Sequence, residues 1–220
     1  MDDDNPTARW ERRAGPPLAV ASLLFLASYA VRVLDEGLPG PVLDLCLAVL
    51  YGCWALFIVD YAVRWRLSGE GPGFVRRHWL DSLVVVLPLL RPVRIVRVYD
   101  AMQDRRAAEP RLSLQGRVML YASMASTLLG VSAALAVYHY EHHAPDASIR
   151  TFGDALWWAA STLATVGYGD VVPVTLMGRL VAVVLMGCGL ALLGAVAGSF
   201  SSYLMRRFAR SGDDVGPLGG

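Results

Sequence analysis

Four stretches of the sequence, 17–34, 42–63, 118–140 and 174–204, are apolar over about the twenty residues that a helix needs to cross a hydrocarbon core of about 30 Å. No other feature limits the fold as tightly, because a chain with four such stretches is at home only in a bilayer. A fifth stretch, 79–99, is also apolar, but Pro88 and Pro92 interrupt it and Arg91, Arg94 and Arg97 stud it. A sixth, 152–164, is too short to span. Composition agrees: 18% of residues are charged, against roughly a quarter in soluble domains. Mean hydropathy is +0.44. These values exclude a disordered chain, a secreted disulfide scaffold and an ordinary soluble enzyme. The fold class is all-α membrane protein. Cys46, Cys53 and Cys188 all lie within apolar runs, where they read as packing residues rather than a disulfide or metal set.

The sides of the membrane follow from Arg, which supplies all the basic side chains. Clusters precede the first run and recur around 64–77, 105–117 and 206–210, while the loops between carry Asp35, Glu36, Glu141, Asp146 and Asp170. By the positive-inside rule both termini are cytoplasmic. Arg9, Arg12 and Arg13 ahead of the first run suit a signal peptide, but the run is longer than a signal core and contains Arg32, so a retained helix is expected. Residues 79–99, flanked by basic residues on one side, must cross twice, with a bend between Pro88 and Pro92. The expected count is six spans and one re-entrant segment per chain.

The chemistry concentrates in Thr165-Val166-Gly167-Tyr168-Gly169-Asp170, directly after the short apolar piece. Non-helical backbone at membrane depth is tolerated only where protein buries it or it lines a watery path. Glycines at alternate positions permit left-handed dihedrals, which turn successive carbonyls to one side of the strand. Four such strands around an axis stack rings of carbonyl oxygens that replace the hydration shell of a potassium ion. The Thr165 hydroxyl can complete the innermost ring. Tyr168 is expected to point away from the axis, towards Trp157 and Trp158.

This segment carries the filter signature of the tetrameric potassium channels without a mismatch, and the chain resembles that family. The Trp157-Trp158 pair fits the family's pore helix, and 170–186 is similar to the inner helix of small bacterial potassium channels. The resemblance covers about 117–207. It implies a homotetramer, with potassium bound by Thr165, Val166, Gly167, Tyr168 and Gly169 as a permeant ion and no other cofactor. Trp157, Trp158 and Asp170 would support the filter. The C-terminal end of the pore helix would favour a cation in the central cavity. Two positions depart from the pattern: Ser161 stands where some relatives place a Glu that pairs with the filter Asp, and Ala164 replaces a common Thr. Gly189 aligns with the family's gating hinge, with close helix packing as the alternative. For Gly194 and Gly198, spaced as Gly-x-x-x-Gly, packing is the expected role.

The first half resembles a voltage-sensing domain, less specifically. Arg91, Arg94 and Arg97 recur every three residues, and charges inside membrane helices are usually functional. Phe57 and Asp60, followed by Arg64, are similar to the second-helix motif through which sensor arginines pass, and Asp81 resembles the acidic residue of the third helix. Pro92 among the arginines, a nearly absent loop, and Asp100 and Gln103 where basic residues are usual all depart from the pattern. Three charges in each of four subunits crossing the whole field would supply at most about 28 kcal/mol per 100 mV. The alternative is static arginines that anchor the helix or pair with Asp60 and Asp81.

The domains expected are a cytoplasmic tail (1–16), a sensor-like four-helix unit (17–103), a linker (104–116), a pore unit (117–205) and a second tail (206–220). His139, His142 and His143 near Glu141 suggest zinc binding or pH sensing, against an ordinary solvated turret without fixed ligand spacing. The expected function is passive, potassium-selective conduction across the cell membrane, voltage-modulated. Potassium, membrane lipid and further copies of the chain are the partners; no nucleic acid or small-molecule substrate is evident. The alternatives are a weakly voltage-dependent pore gated by protons or lipid, and a non-conducting subunit that modifies another channel. No nucleophile–base pair or metal cluster suggests an enzyme.

Overall fold

The computed structural model describes residues 6–35, 37–68 and 114–213, all of them helical or in short connections. The described residues form five helices: α1 (Pro6–Leu34), α2 (Gly40–Ser68), α3 (Leu114–Glu141), α4 (Phe152–Leu163) and α5 (Leu176–Asp213). Four contain segments long and apolar enough to cross a membrane: Arg13–Leu34, Gly40–Leu67, Gly116–Glu141 and Leu176–Met205. These are the four long runs read from the sequence. Arg91, Arg94, Arg97 and Asp81, with the fifth apolar stretch and most of the linker, lie outside the described residues.

Two helices outrun their apolar segments. α1 begins at Pro6 and continues through Pro16 and Pro17. Proline lacks an N–H, so the carbonyls of Arg12 and Arg13 lose their usual partners, an inexpensive loss beside the aqueous end of a span. The tail expected over 1–16 is thus largely the first turns of α1. α5 likewise continues to Asp213, past the boundary at 205. Hydropathy marks where apolar side chains stop, and a helix does not have to stop there.

α1 and α2 form an antiparallel hairpin joined by a tight connection in which the Gly37 N–H donates to Asp35 Oδ1 at 3.0 Å. Leu18 and Ala21 of α1 pack on Cys53 and Phe57 of α2, with Phe57 only 1% exposed. The second unit is larger. α3 and α5 run antiparallel, and α4 wedges between them with Ala155, Trp158 and Ala159 facing Leu129, Ala133, Val137, Ala182 and Leu185. The alanines on α3 and α4 let the short helix approach closely. α1 also packs on α3, where Tyr29 and His139 meet edge to face at 6.3 Å between ring centroids. Cys46 and Cys53 are buried free thiols in the hairpin.

Candidate functional site

α4 is short, so its ends must be fixed from outside. At the N-terminus Thr151 Oγ1 accepts from the Asp154 N–H at 3.1 Å, and Asp154 Oδ2 accepts from the Thr151 N–H at 2.8 Å. This reciprocal capping box satisfies two otherwise orphaned donors. The bond from the Thr151 N–H holds the Asp154 carboxyl below its usual range.

At the C-terminus the chain folds back on the helix. The N–H groups of Thr165 and Val166 donate to the carbonyls of Thr162 and Ser161 at 3.0 and 2.9 Å, and the Gly167 N–H shares the Ser161 carbonyl at 3.3 Å. These bonds satisfy carbonyls that a helix end leaves open. They also commit the amides of 165–167. Thr165, Gly167 and Gly169 have φ of +58°, +58° and +75°, whereas Val166 and Tyr168 between them do not have positive φ. That alternation is the one the sequence predicts for carbonyls brought to one side. Its cost is carried by glycine at two positions and by a β-branched threonine at the third, a conformation that persists only where the surroundings over-determine it. Among the described residues no hydrogen bond reaches the carbonyls of 165–169.

The aromatic support is divided between two sites. Trp157 stacks on Tyr168 with ring centroids 5.3 Å apart and planes 7° from parallel. Its indole N–H donates to Asp170 Oδ2 at 2.7 Å. Trp158 was expected at the strand but instead lies in the core between α3 and α5, 4% exposed. Neighbouring positions on a helix point about 100° apart, so one faces the strand and the other the bundle. Ser161 donates to the Trp158 carbonyl at 3.0 Å, and Asp170 takes its hydrogen bond from Trp157.

Beyond the strand, sequence reading missed a buried clamp. Glu141, fully buried at the end of α3, accepts from the N–H groups of Val174 and Thr175 at 2.9 Å each and from the Thr175 hydroxyl at 2.7 Å. Thr175 Oγ1 in turn accepts from the Gly178 N–H at 3.0 Å, capping α5. A Cβ on Gly178 would lie 2.1 Å from Glu141 Oε1. Glycine is therefore required here by close approach. Ser148 ties the same loop down, accepting from the Val172 N–H at 2.9 Å and donating to its carbonyl at 3.1 Å. Read in sequence, Glu141 is one acidic residue in a loop, and only its burial reveals the role.

Gly189 faces the end of α4, where its Cβ would meet Leu163 Cδ2 at 3.4 Å and the Leu163 carbonyl at 3.9 Å. Among the described residues a Cβ at Gly194 or Gly198 would meet nothing within 4 Å. The rings of His142 and His143 lie with centroids 3.8 Å apart and planes tilted by 39°, and His142 Nδ1 lies 2.6 Å from the Tyr138 carbonyl. Among the described residues no three metal-ligating side chains converge.

In the hairpin, Asp60 is 4% exposed and forms an ion pair with Arg64 one turn away, at 2.5 Å. Its other oxygen accepts from the Trp10 indole N–H at 3.1 Å. Phe57 lies one turn from Asp60, as the motif requires. Trp10 was not anticipated. A tryptophan at the aqueous end of a span reads as an interface anchor, and nothing in the sequence points it at residue 60.

Residues 126–206, the α3–α5 unit with its strand, match a family of proteins described as Ion channel. The chain as a whole is similar to bacterial and archaeal potassium channels. It is 30% identical over 192 residues to a voltage-gated potassium channel of Aeropyrum pernix, an alignment covering 75% of this chain and 60% of the relative. It is 32% identical over 220 residues to a cyclic nucleotide-gated potassium channel of Mesorhizobium japonicum, covering 90% of this chain and 59% of the relative. A calcium-gated potassium channel of Thermoplasma volcanium is 45% identical over 65 residues, 29% of this chain and 19% of the relative. The chain thus spans no more than about three fifths of the length of any of these relatives.

Proposed function

We propose that four copies of this chain surround a central pore and conduct potassium ions passively across the cell membrane. The observation that carries this reading is the 165–169 strand, with the amides of 165–167 bonded back to α4, alternating φ and carbonyls to which no group among the described residues donates. Such carbonyls are costly against lipid. Symmetry-related copies would turn them into rings that replace the hydration shell of potassium. Val166 and Tyr168, 52% and 64% exposed in one chain, then meet neighbouring copies. So do apolar side chains along α5 such as Val183, Met186 and Leu190. Thr165, Val166, Gly167, Tyr168 and Gly169 bind the ion, Trp157 and Asp170 support them directly, Trp158 supports them through the core that fixes α4, and Gly189 is the hinge of the inner helix. Each chain has six spans, with both termini in the cytoplasm.

The test is ion flux from liposomes containing the purified protein, under potassium or sodium gradients at two voltages. Potassium flux well above sodium flux is expected. Equal permeability, or no flux at any voltage or pH, would refute the reading, and the second result would favour a non-conducting subunit.

Arg91, Arg94 and Arg97 are the proposed voltage sensors, with Phe57, Asp60 and Asp81 as their transfer site. One observation favours weak voltage dependence as a second reading: Asp60 is already engaged by Arg64 and Trp10. An arriving arginine has to share that carboxyl group or displace a partner. Replacing Arg94 by Gln shifts or flattens the conductance–voltage curve if the arginines sense the field, and leaves it unchanged if they are static.

A further inference from the structure

A cavity of about 380 Å³ lies between α1, α3 and α5, at the end of the bundle where α5 begins. Its deeper walls are apolar, with Leu26 from α1, Ala136 from α3, and Leu180 and Val184 from α5. The polar groups Tyr29, His139 and Tyr140 gather at the other end, within the last turns of α1 and α3. Arg32 stands one turn beyond Tyr29 on the same face of α1, exposed, and among the described residues no acid pairs with it.

We infer that this cavity holds one acyl chain of an anionic phospholipid, with the headgroup phosphate at Arg32 and the two tyrosine hydroxyls. A gap with apolar walls between membrane helices does not hold water, and the available filler is hydrocarbon. The volume falls within the range of ordinary ligand sites. The mouth supplies the sign: a guanidinium and two hydroxyl donors favour an anionic head over a zwitterionic one. Its position gives the site a consequence. A chain lodged there contacts the hairpin and both long pore helices at once, beside the Tyr29–His139 contact that joins the two units.

The test uses the full-length assembled protein in vesicles of phosphatidylcholine containing a trace of diazirine-tailed phosphatidylglycerol, with crosslinked residues mapped by mass spectrometry. Crosslinks are expected to concentrate on Leu26, Leu180 and Val184 relative to exposed residues of α2 such as Leu45 and Tyr51. Unlabelled phosphatidylglycerol competes for them, whereas added phosphatidylcholine does not. Arg32→Gln lowers them about fivefold, the equivalent of the ~1 kcal/mol that one arginine contributes at an anionic surface. Met177→Trp, at an exposed position on the rim, reduces them without disturbing the core. Even labelling of all exposed helix faces would overturn the inference. So would its absence at the cavity because a neighbouring copy covers it, or competition by a free fatty acid but not by phosphatidylglycerol. Binding is read without ion flux, so the inference and the proposed conduction fail separately.

Discussion

The two helical units of this chain are held together by different physics. The hairpin of α1 and α2 rests on a small apolar cluster around Phe57 and one buried carboxyl group. The α3–α5 unit has a larger core, and its connections are also bonded at fixed points: the Thr151–Asp154 box, the Trp157–Asp170 bond, Ser148 with Val172, and Glu141 with the start of α5. Apolar packing is non-directional and tolerates small displacements, whereas each of these bonds fixes a position. The unit that must hold a strand with unpaired carbonyls is the one tied down at both ends. The strained backbone is sustained by that framework.

The sharpest way to break the difference is at the strand itself. Gly167 has φ of +58°, where an L-residue costs roughly 1–2 kcal/mol in each chain. Gly167→Ala is expected to abolish selective potassium flux in liposomes while leaving the helical content of the protein unchanged. Flux and selectivity equal to wild type would mean that the left-handed conformation is not used.

The clamp comes next. Removing the Glu141 carboxyl group leaves two backbone donors and a hydroxyl near α5 without their acceptor, each costing about 1–3 kcal/mol. Glu141→Ala should therefore destabilise the protein by about 3–5 kcal/mol, seen as a large fall in the thermal unfolding midpoint in detergent. Gly178→Ala tests the same clamp from the other side, because its methyl must displace Glu141 Oε1. The carboxyl is a flexible side-chain end, but three bonds hold it in place. If Gly178→Ala is neutral, the clamp yields easily and the rigidity assigned to this unit is overstated.

These two predictions also mark what could be read from sequence. The strand was legible because its conformation requires glycine at fixed intervals and Trp157 at a fixed distance, so the geometry is written in residue types. The four spans were legible from length and apolarity alone. Glu141 was not, because its function depends on burial against residues more than thirty positions away. Trp158 was assigned to the strand because two adjacent tryptophans look equivalent until the helix turns one of them inward. Trp10 lay outside the apolar run, in a segment that hydropathy reads as a tail. The sequence showed which residues can adopt special backbone. It did not show which distant polar groups meet, since a single carboxyl or indole leaves no periodic pattern.

The hairpin responds more modestly. Trp10→Phe keeps the ring and removes one N–H from Asp60, a part-buried bond of about 1 kcal/mol. Stability should fall by about that amount, with potassium over sodium selectivity unchanged, since the strand lies in the other unit. If the sensor reading holds, the conductance–voltage curve shifts as well, because the Asp60 carboxyl that an arriving arginine would meet has lost one hydrogen-bond donor. A change in selectivity would show that the two units are coupled far more tightly than the packing of α1 on α3 suggests.

The smallest expected effect is a pH dependence at the start of α4. The Asp154 carboxyl is held below the ordinary aspartate value of 3.8, first by the bond from the Thr151 N–H and then by the Thr151 side chain. A lowered folded-state pKa means that the ionised cap stabilises the fold above the ordinary value, and that this contribution is lost as pH falls through the lowered one. Asp154→Asn keeps an acceptor for the Thr151 N–H but removes the charge that favours a helix N-terminus. The thermal midpoints of wild type and Asp154→Asn should therefore differ at neutral pH and converge as pH drops below about 4. Following the difference between the two proteins removes the contribution of every other acid. Because Asp154 is only partly buried, the gap is expected to be small and to shrink with added salt. A gap that persists at low pH would assign the cap to hydrogen-bond geometry alone, and would make the α4 N-terminus as insensitive to charge as the apolar cluster of the hairpin.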